Sequence, residues 1–382
     1  MTGAGFDLAL PPRIVFGAGR ADELPGLVLE RGSRVLVVTG SSPQRVAHLV
    51  DPIRSAARTV STTMATAEPT LADARDAVEA GLAVDADVVV GIGGGSVIDL
   101  AKAAAMLLAN GGDPLDYLEV VGEGRPITRP SVPLLAVPTT AGTGAEVTAN
   151  AVLAVVEHGL KASLRSPLMV PHVALVDPGL TLDCPPAVTA SAGMDALTQC
   201  LEPYVSNRAN PVTDGWAGTG LRAAARGLRA AYADGADLAA RSDMSLCSLM
   251  GGLALANAKL GAVHGFAGVL GGMSRAPHGA VCAALLAPVC RANLARADAG
   301  LRARYTDIGR WLTGDAAATA EDGVAWIERT CADLGVAGLA GLGLSEADTA
   351  AAVEGAARAS STKGNPVALS DEELAAVFRA AL

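Results

Sequence analysis

The sequence predicts an α/β N-terminal domain with a parallel sheet over residues 1–184, followed by an all-α C-terminal domain over residues 185–382. Three observations carry this. Apolar strand-like runs alternate with helical patterns as far as Asp177-Pro178, which is the order that winds a parallel sheet. The run Val88-Val89-Val90-Gly91-Ile92 passes through Gly93-Gly94-Gly95-Ser96 into an Ala- and Leu-rich helix reaching about Asn110. Beyond Pro185-Pro186 the strand-like runs stop, and Ala-rich helical patterns continue to Leu382.

Taken in order, Arg13-Ile14-Val15-Phe16 reads as a first strand and Ala21–Glu30 as a helix. Arg34-Val35-Leu36-Val37-Val38-Thr39 is a second, buried strand, closed by Gly40-Ser41-Ser42-Pro43, with another helix opening near Arg45. A strand around Arg58–Thr62 precedes Thr70, whose hydroxyl is placed to cap a helix over Leu71–Val84. Pro133–Pro138 is a further strand that runs into a polar, close-approach loop: Thr139, Thr140, Gly142, Thr143, Gly144 and Thr148. A hairpin-like pair follows at Ala151–Val156 and Lys161–Leu164, then a strand at Ala174–Pro178.

With 382 residues, 51% of them hydrophobic, the chain has material for two cores. A net charge of −10 argues against a nucleic-acid surface, which needs clustered Lys and Arg. No apolar stretch is expected to reach the length that spans a bilayer. The N-terminus shows no charged start followed by an apolar run. The six cysteines (Cys184, Cys200, Cys247, Cys282, Cys290 and Cys331) lack CxxC spacing. They read as reduced core residues of a cytoplasmic protein.

Chemistry enters at the glycine loop. Glycines let a ligand approach the backbone without meeting a Cβ. The helix start behind them offers free N–H groups and the positive end of a dipole to a phosphate. Gly91, Gly93 and Ser96 fit Gly-x-Gly-x-x-(small), although that fingerprint usually occupies the first βα turn. By analogy with dinucleotide-binding loops, this turn is expected to bind an anion such as a phosphate. At the end of the second strand an Asp would hydrogen-bond the ribose and repel a 2′-phosphate. Gly40, Ser41 and Ser42 stand there instead, with Arg45 nearby, so NADP is expected to be accepted at least as well as NAD.

Two of the five histidines, His264 and His278, lie in the second domain. On one continuous helix they would be roughly 21 Å apart, but Gly265, Gly268, Gly271, Gly272 and Pro277 allow the chain to fold back. Asp195 and Gln199 are spaced i,i+4 and share a helix face. An Asp, two His and an amide oxygen can together hold a divalent ion.

With these motifs in view, the chain resembles the iron-containing (group III) alcohol dehydrogenase family over essentially its whole length. The matching stretches are Gly93–Lys102, Pro138–Thr148, Gly193–Thr198, Val263-His264-Gly265, Pro277-His278-Gly279 and Asn365-Pro366. The resemblance implies a cleft between the two domains and hydride transfer between NAD(P)H and an aldehyde or ketone, with Asp195, His264 and His278 as catalytic residues. By motif it implies cofactor contacts from Gly94, Gly95, Ser96, Asp99, Thr139, Thr140, Thr143, Thr148, Lys161 and Leu180. It implies Asp195, Gln199, His264 and His278 as ligands of Fe²⁺ or Zn²⁺, with Gln199 where a His is usual. Gly268 stands where many members carry a proton-relaying His. The expected partner is a small alcohol or carbonyl substrate, with no nucleic acid and no membrane, in a homo-oligomer such as a dimer. Two alternatives remain at this level. One is a metal-independent reductase resembling maleylacetate reductase, with Arg275 as a candidate carboxylate binder. The other is a nucleotide-binding homologue impaired in catalysis.

Overall fold

Short β-branched runs build a six-stranded parallel sheet in the order β1-β8-β5-β4-β2-β3. In the computed structural model, which describes residues 5–65, 68–274 and 276–382, its strands are β1 (Arg13–Phe16), β2 (Arg34–Gly40), β3 (Thr59–Ala65), β4 (Val88–Gly93), β5 (Leu134–Pro138) and β8 (Val173–Val176). Strand β3 continues past the expected Thr62 because it pairs with β2 along its whole length, as far as Gly40 opposite Ala65. The predicted hairpin forms as β6 (Asn150–Val155) and β7 (Leu160–Arg165), paired antiparallel. Arg275 lies outside the described residues.

Side chains alternate across the sheet. Leu36, Val38 and Val89 enter one apolar cluster, while Val35, Val37, Val88 and Val90 enter another. Both faces are therefore covered, which is why these strands read as unbroken apolar runs. The helices of this unit are α1 (Leu24–Leu29), α2 (Ala47–Ala56), α3 (Leu71–Leu82), α4 (Gly95–Asn110) and the single turn α5 (Pro114–Tyr117). Thr70 caps α3 as expected. Its hydroxyl accepts from Asp73 N at 3.1 Å, and the Asp73 carboxylate accepts from Thr70 N at 2.8 Å. A Cβ on Gly91 would stand 2.8 Å from the Ala101 Cβ, so that glycine lets α4 lie directly on β4.

After β2 the chain steps outward to β3, then returns to the other side of β2 for β4 and β5. The strand order thus reverses between β2 and β4, and ligands of α/β sheets gather at the carboxyl ends beside such a point. Register puts Thr39 beside Ile92 and Gly93 beside Pro138, so the ends of β2, β4 and β5 lie side by side.

The described chain divides into two compact units. One is Ala9–Thr140 with Ala145–Thr181; the other is Leu182–Leu382 with residues 5–8 and Ala141–Gly144. The short loop belongs with the helices because Gly144 takes φ +59 and lies against Gly252, whose Cα would be 2.5 Å from an added Cβ.

The second unit contains α6 (Pro186–Val205), α7 (Pro211–Ala233), α8 (Leu238–Ala258), α9 (Ala262–Met273), α10 (His278–Ala295), α11 (Ala299–Thr313), α12 (Ala320–Asp333), α13 (Thr349–Arg358) and α14 (Asp371–Ala381). One continuous core joins Met194, Leu197, Leu221, Phe266, Leu286 and Phe378. Helices α8 and α9 meet at 101°, around Lys259 at φ +64. One expectation is corrected here. Helix α10 has 18 residues with mean hydropathy 1.2, enough by length and composition to cross a membrane. Arg291 and Asn293 interrupt its apolar run, which is why it does not read as a long apolar stretch. Most of the helix is buried in the core of this unit, including Val281, Leu285 and Leu286.

Candidate functional site

At the end of β4 the backbone of Gly94 is extended (φ −73, ψ −175), and its carbonyl accepts from Val97 N at 3.0 Å and Ile98 N at 3.1 Å. Gly95 and Ser96 open α4, so their N–H groups precede the helical ladder and stay available to an anion. A Cβ on Gly94 would be 3.4 Å from Thr140 Oγ1, and Thr139 N donates to Gly93 O at 3.0 Å. The loops after β4 and β5 are therefore in contact. Gly40, Ser41 and Ser42 leave the neighbouring end of β2, with both serines exposed.

The other proposed cofactor residues are distributed differently. Asp99 and Thr148 are tied to a buried ammonium, that of Lys102. Lys102 Nζ lies 3.0 Å from Asp99 Oδ1 and donates to Thr148 Oγ1 at 2.9 Å and Asn150 O at 2.5 Å. Asp99 Oδ2 also accepts from Val152 N at 3.1 Å. Burial pushes the Asp99 carboxyl up, against the lowering effect of Lys102. Lys161 on β7 pairs with Glu68 at 3.0 Å. Leu180 sits in the turn after β8, half-buried on the cluster of Val15 and Ile92. Thr143 belongs to the loop packed with the helical unit.

In the helical unit, Asp195, Gln199 and Glu202 follow one another along the same face of α6. His264 is on the first turn of α9, and His278 opens α10. The break between α9 and α10 brings the two imidazoles to a centroid separation of 5.5 Å. Asp195 Oδ1 is 3.3 Å from His264 Nε2 and 3.9 Å from His278 Nε2. Cys282, one turn after His278, puts its sulfur 3.6 Å from His278 Nε2 and 3.9 Å from His264 Nε2. These four ligand atoms all lie within 4.8 Å of one another.

Glu202 supports the group from behind. Its Oε2 accepts from His264 Nδ1–H at 2.7 Å, and its Oε1 accepts from Val263 N at 2.7 Å. That fixes the tautomer and leaves His264 Nε2 facing Asp195 and Cys282, the way a carboxylate behind the ring usually orients a metal-binding histidine. Asn365 steadies the same helix start, its Oδ1 accepting from Ala262 N at 3.2 Å. Gly261 is required there, since a Cβ would stand 2.8 Å from Glu202 Oε1 and 2.9 Å from Asn365 Oδ1. Gly268, one turn after His264, is exposed, and an added Cβ would meet nothing within 4 Å.

The residues fit a divalent ion. Asp195 Oδ1 is buried without a hydrogen-bond partner, a costly state for an acceptor among histidines unless a cation serves it. The electrostatics favour positive charge. Burial raises the Asp195 carboxyl, but the neighbouring His264 and His278 override it, so it lies below the usual carboxylate range. Burial opposes charge on His264, yet the neighbouring Cys282, Asp195 and Glu202 hold it well above its ordinary value. Cys282 is the largest influence on His278, raised to about 9. A bound cation would take the place of these protons.

Sequence reasoning passed over Glu202 and Cys282. The available signal was spacing: Glu202 lies seven residues after Asp195, and Cys282 four after His278.

The family model "Iron-containing alcohol dehydrogenase" matches residues 11–178, and "Fe-containing alcohol dehydrogenase family, C-terminal" matches residues 189–382. A 1,3-propanediol dehydrogenase of Klebsiella pneumoniae is 39% identical over 301 residues, 77% of this chain and 76% of that protein. The crystal structure of a 1,3-propanediol oxidoreductase superposes with a TM-score of 0.93 at 33% identity, covering 99% of this chain and 100% of that one. A sulfoacetaldehyde reductase from Bifidobacterium kashiwanohense, solved in complex with NAD⁺, gives a TM-score of 0.89 at 30% identity, covering 99% of each chain.

Proposed function

Because the chain belongs to the iron-containing alcohol dehydrogenase family, we propose that it interconverts a small alcohol and its aldehyde or ketone by hydride exchange with a nicotinamide dinucleotide, at a divalent metal centre built on Asp195, His264 and His278. One observation carries the metal assignment: Asp195 Oδ1, buried and unpartnered, lies between the Nε2 atoms of two histidines from different helices. An ion bound there, Fe²⁺ or Zn²⁺, supplies Lewis-acid polarisation of the carbonyl oxygen and stabilises the alkoxide. The chain's own groups do the rest. Glu202 holds the His264 ring so that its Nε2 lone pair stays directed at the centre. His264 is 8% exposed, which keeps water from that side. The loops of Gly94–Ser96 and Thr139–Thr140 offer N–H and hydroxyl groups to a pyrophosphate, which orients the nicotinamide.

The test is protein purified without chelators, analysed for metal and assayed on a panel of short aldehydes and diols. Turnover should vanish on exhaustive chelation, return with added metal, and be lost with the metal in His264→Ala. Undiminished turnover in the chelated protein and in His264→Ala overturns the assignment.

The cofactor preference follows from β2. Gly40 presents no carboxylate to a 2′-phosphate, and the exposed Ser41 and Ser42 present hydroxyls, so NADPH is used at least as well as NADH. Gly40→Asp has room, the nearest atom to an added Cβ being Val97 Cγ2 at 3.9 Å. It should lower kcat/KM for NADPH relative to NADH by roughly tenfold or more, through charge repulsion. A strong preference of the native protein for NADH overturns this reading.

A further inference from the structure

We propose that the Cys282 thiolate is the fourth protein ligand of the centre and that, with Asp195, His264 and His278, it makes a donor set selecting Zn²⁺ over Fe²⁺. This rests on the metal assignment above and adds to it which atom completes the site. Residue 199 then leaves the ligand set, because Asp195, His264, His278 and Cys282 already supply the four donors of a tetrahedral site.

Spacing supports the sulfur. Ligand atoms 2.0–2.3 Å from a tetrahedral zinc lie roughly 3.3–3.8 Å from one another. The corresponding separations are 3.3 Å for Asp195 Oδ1 to His264 Nε2 and 3.6 Å for Cys282 Sγ to His278 Nε2. They are 3.9 Å for Cys282 Sγ to His264 Nε2 and for Asp195 Oδ1 to His278 Nε2. Four of the six separations thus stand at or near the distances a small tetrahedral ion imposes, and the other two lie within 4.8 Å. Position supports it too. Cys282 is fully buried and follows His278 by one turn of α10, so both point to one side of the helix. The other fully buried cysteines lie elsewhere: Cys200 is 3.9 Å from Cys247, and Cys290 is about two turns beyond Cys282 on α10.

Charge and softness supply the selectivity. A carboxylate and a thiolate together neutralise a divalent ion in a buried pocket, whereas a carboxylate with an amide oxygen leaves one charge uncompensated. Zinc already outranks ferrous iron at a given ligand set, and a soft thiolate widens that gap while an amide oxygen would narrow it.

The test begins with chelated, metal-free protein titrated with Co²⁺. One equivalent should produce visible ligand-field bands together with an intense near-ultraviolet thiolate-to-cobalt band. Zn²⁺ should then displace the cobalt and protect Cys282, but not the half-buried Cys331, from alkylation as read by peptide mass. In Cys282→Ser the near-ultraviolet band should disappear. Its zinc affinity should fall by more than the roughly 10–100-fold that loss of an outer-shell partner costs, and its preference for zinc over iron should narrow. Visible bands without the ultraviolet band in the native protein would show a metal centre lacking sulfur; that overturns this proposal and leaves the metal assignment standing. No cobalt uptake overturns both. Because the native spectrum is decisive, the test does not depend on the variant folding.

Discussion

Glu202→Gln should lower metal affinity by about 10–100-fold, the range observed when an outer-shell partner of a ligating histidine is lost, and turnover should fall with it. The carboxylate accepts two hydrogen bonds, one from Val263 N and one from His264 Nδ1–H, each at 2.7 Å. An amide has one acceptor and one donor at that end. If its oxygen keeps Val263, its NH₂ faces His264 Nδ1, and the ring must move its proton to Nε2 to accept. That is the nitrogen beside Asp195 and Cys282, and a protonated nitrogen offers no lone pair to a cation. If the amide turns the other way, two donors confront each other at Val263. Both orientations cost, and both are buried. Competition with a chromophoric chelator measures the affinity; a value matching the native protein would mean that Glu202 does not set the His264 tautomer.

Glu146→Gln should stabilise the protein above neutral pH by on the order of 3 kcal/mol. Glu146 is 2% exposed, and burial raises its carboxyl to about 7 from an ordinary value of 4.5, against the smaller lowering effect of Lys102. The folded state therefore holds a proton that the unfolded chain has already released between those values. Stability is highest below the unfolded value, declines as pH rises toward about 7, and stays reduced above it, because the charge must then be buried. At 1.36 kcal/mol per unit the interval gives the stated magnitude. A neutral amide of similar shape removes both the cost and the slope. Urea denaturation at pH 5 and pH 8 should show the native protein losing stability between them and Glu146→Gln losing less. Equal pH dependence in the two proteins would place the ionisation elsewhere.

Much of the fold was legible because it is local. The apolar runs of β2, β4 and β5, the glycines after β4 and Thr70 three residues before Asp73 each specify their own conformation within a few residues. Asp195, His264 and His278 could be selected as a group, since a carboxylate and two imidazoles in one domain have a shared chemistry. Their supporting residues were not selected. Asn365 was noted only through its Asn-Pro resemblance, whereas in the structure its side chain holds the start of α9 and joins Asn293 at 2.7 Å.

What the sequence determined by itself was the alternation of strand and helix, the change to helices after Pro186, and the glycine turn after β4. These follow from side-chain period, β-branching and glycine, all properties of neighbouring residues. Tertiary structure alone decided which donors share the centre. Spacing i,i+4 places Gln199 beside Asp195 and Cys282 beside His278, but says nothing of which helix faces meet. The separations of 62 positions from Glu202 to His264 and 18 from His264 to Cys282 are closed only when α6, α9 and α10 pack on one another. Long-range packing, which no local pattern encodes, is what put a sulfur among the histidines and a carboxylate behind them.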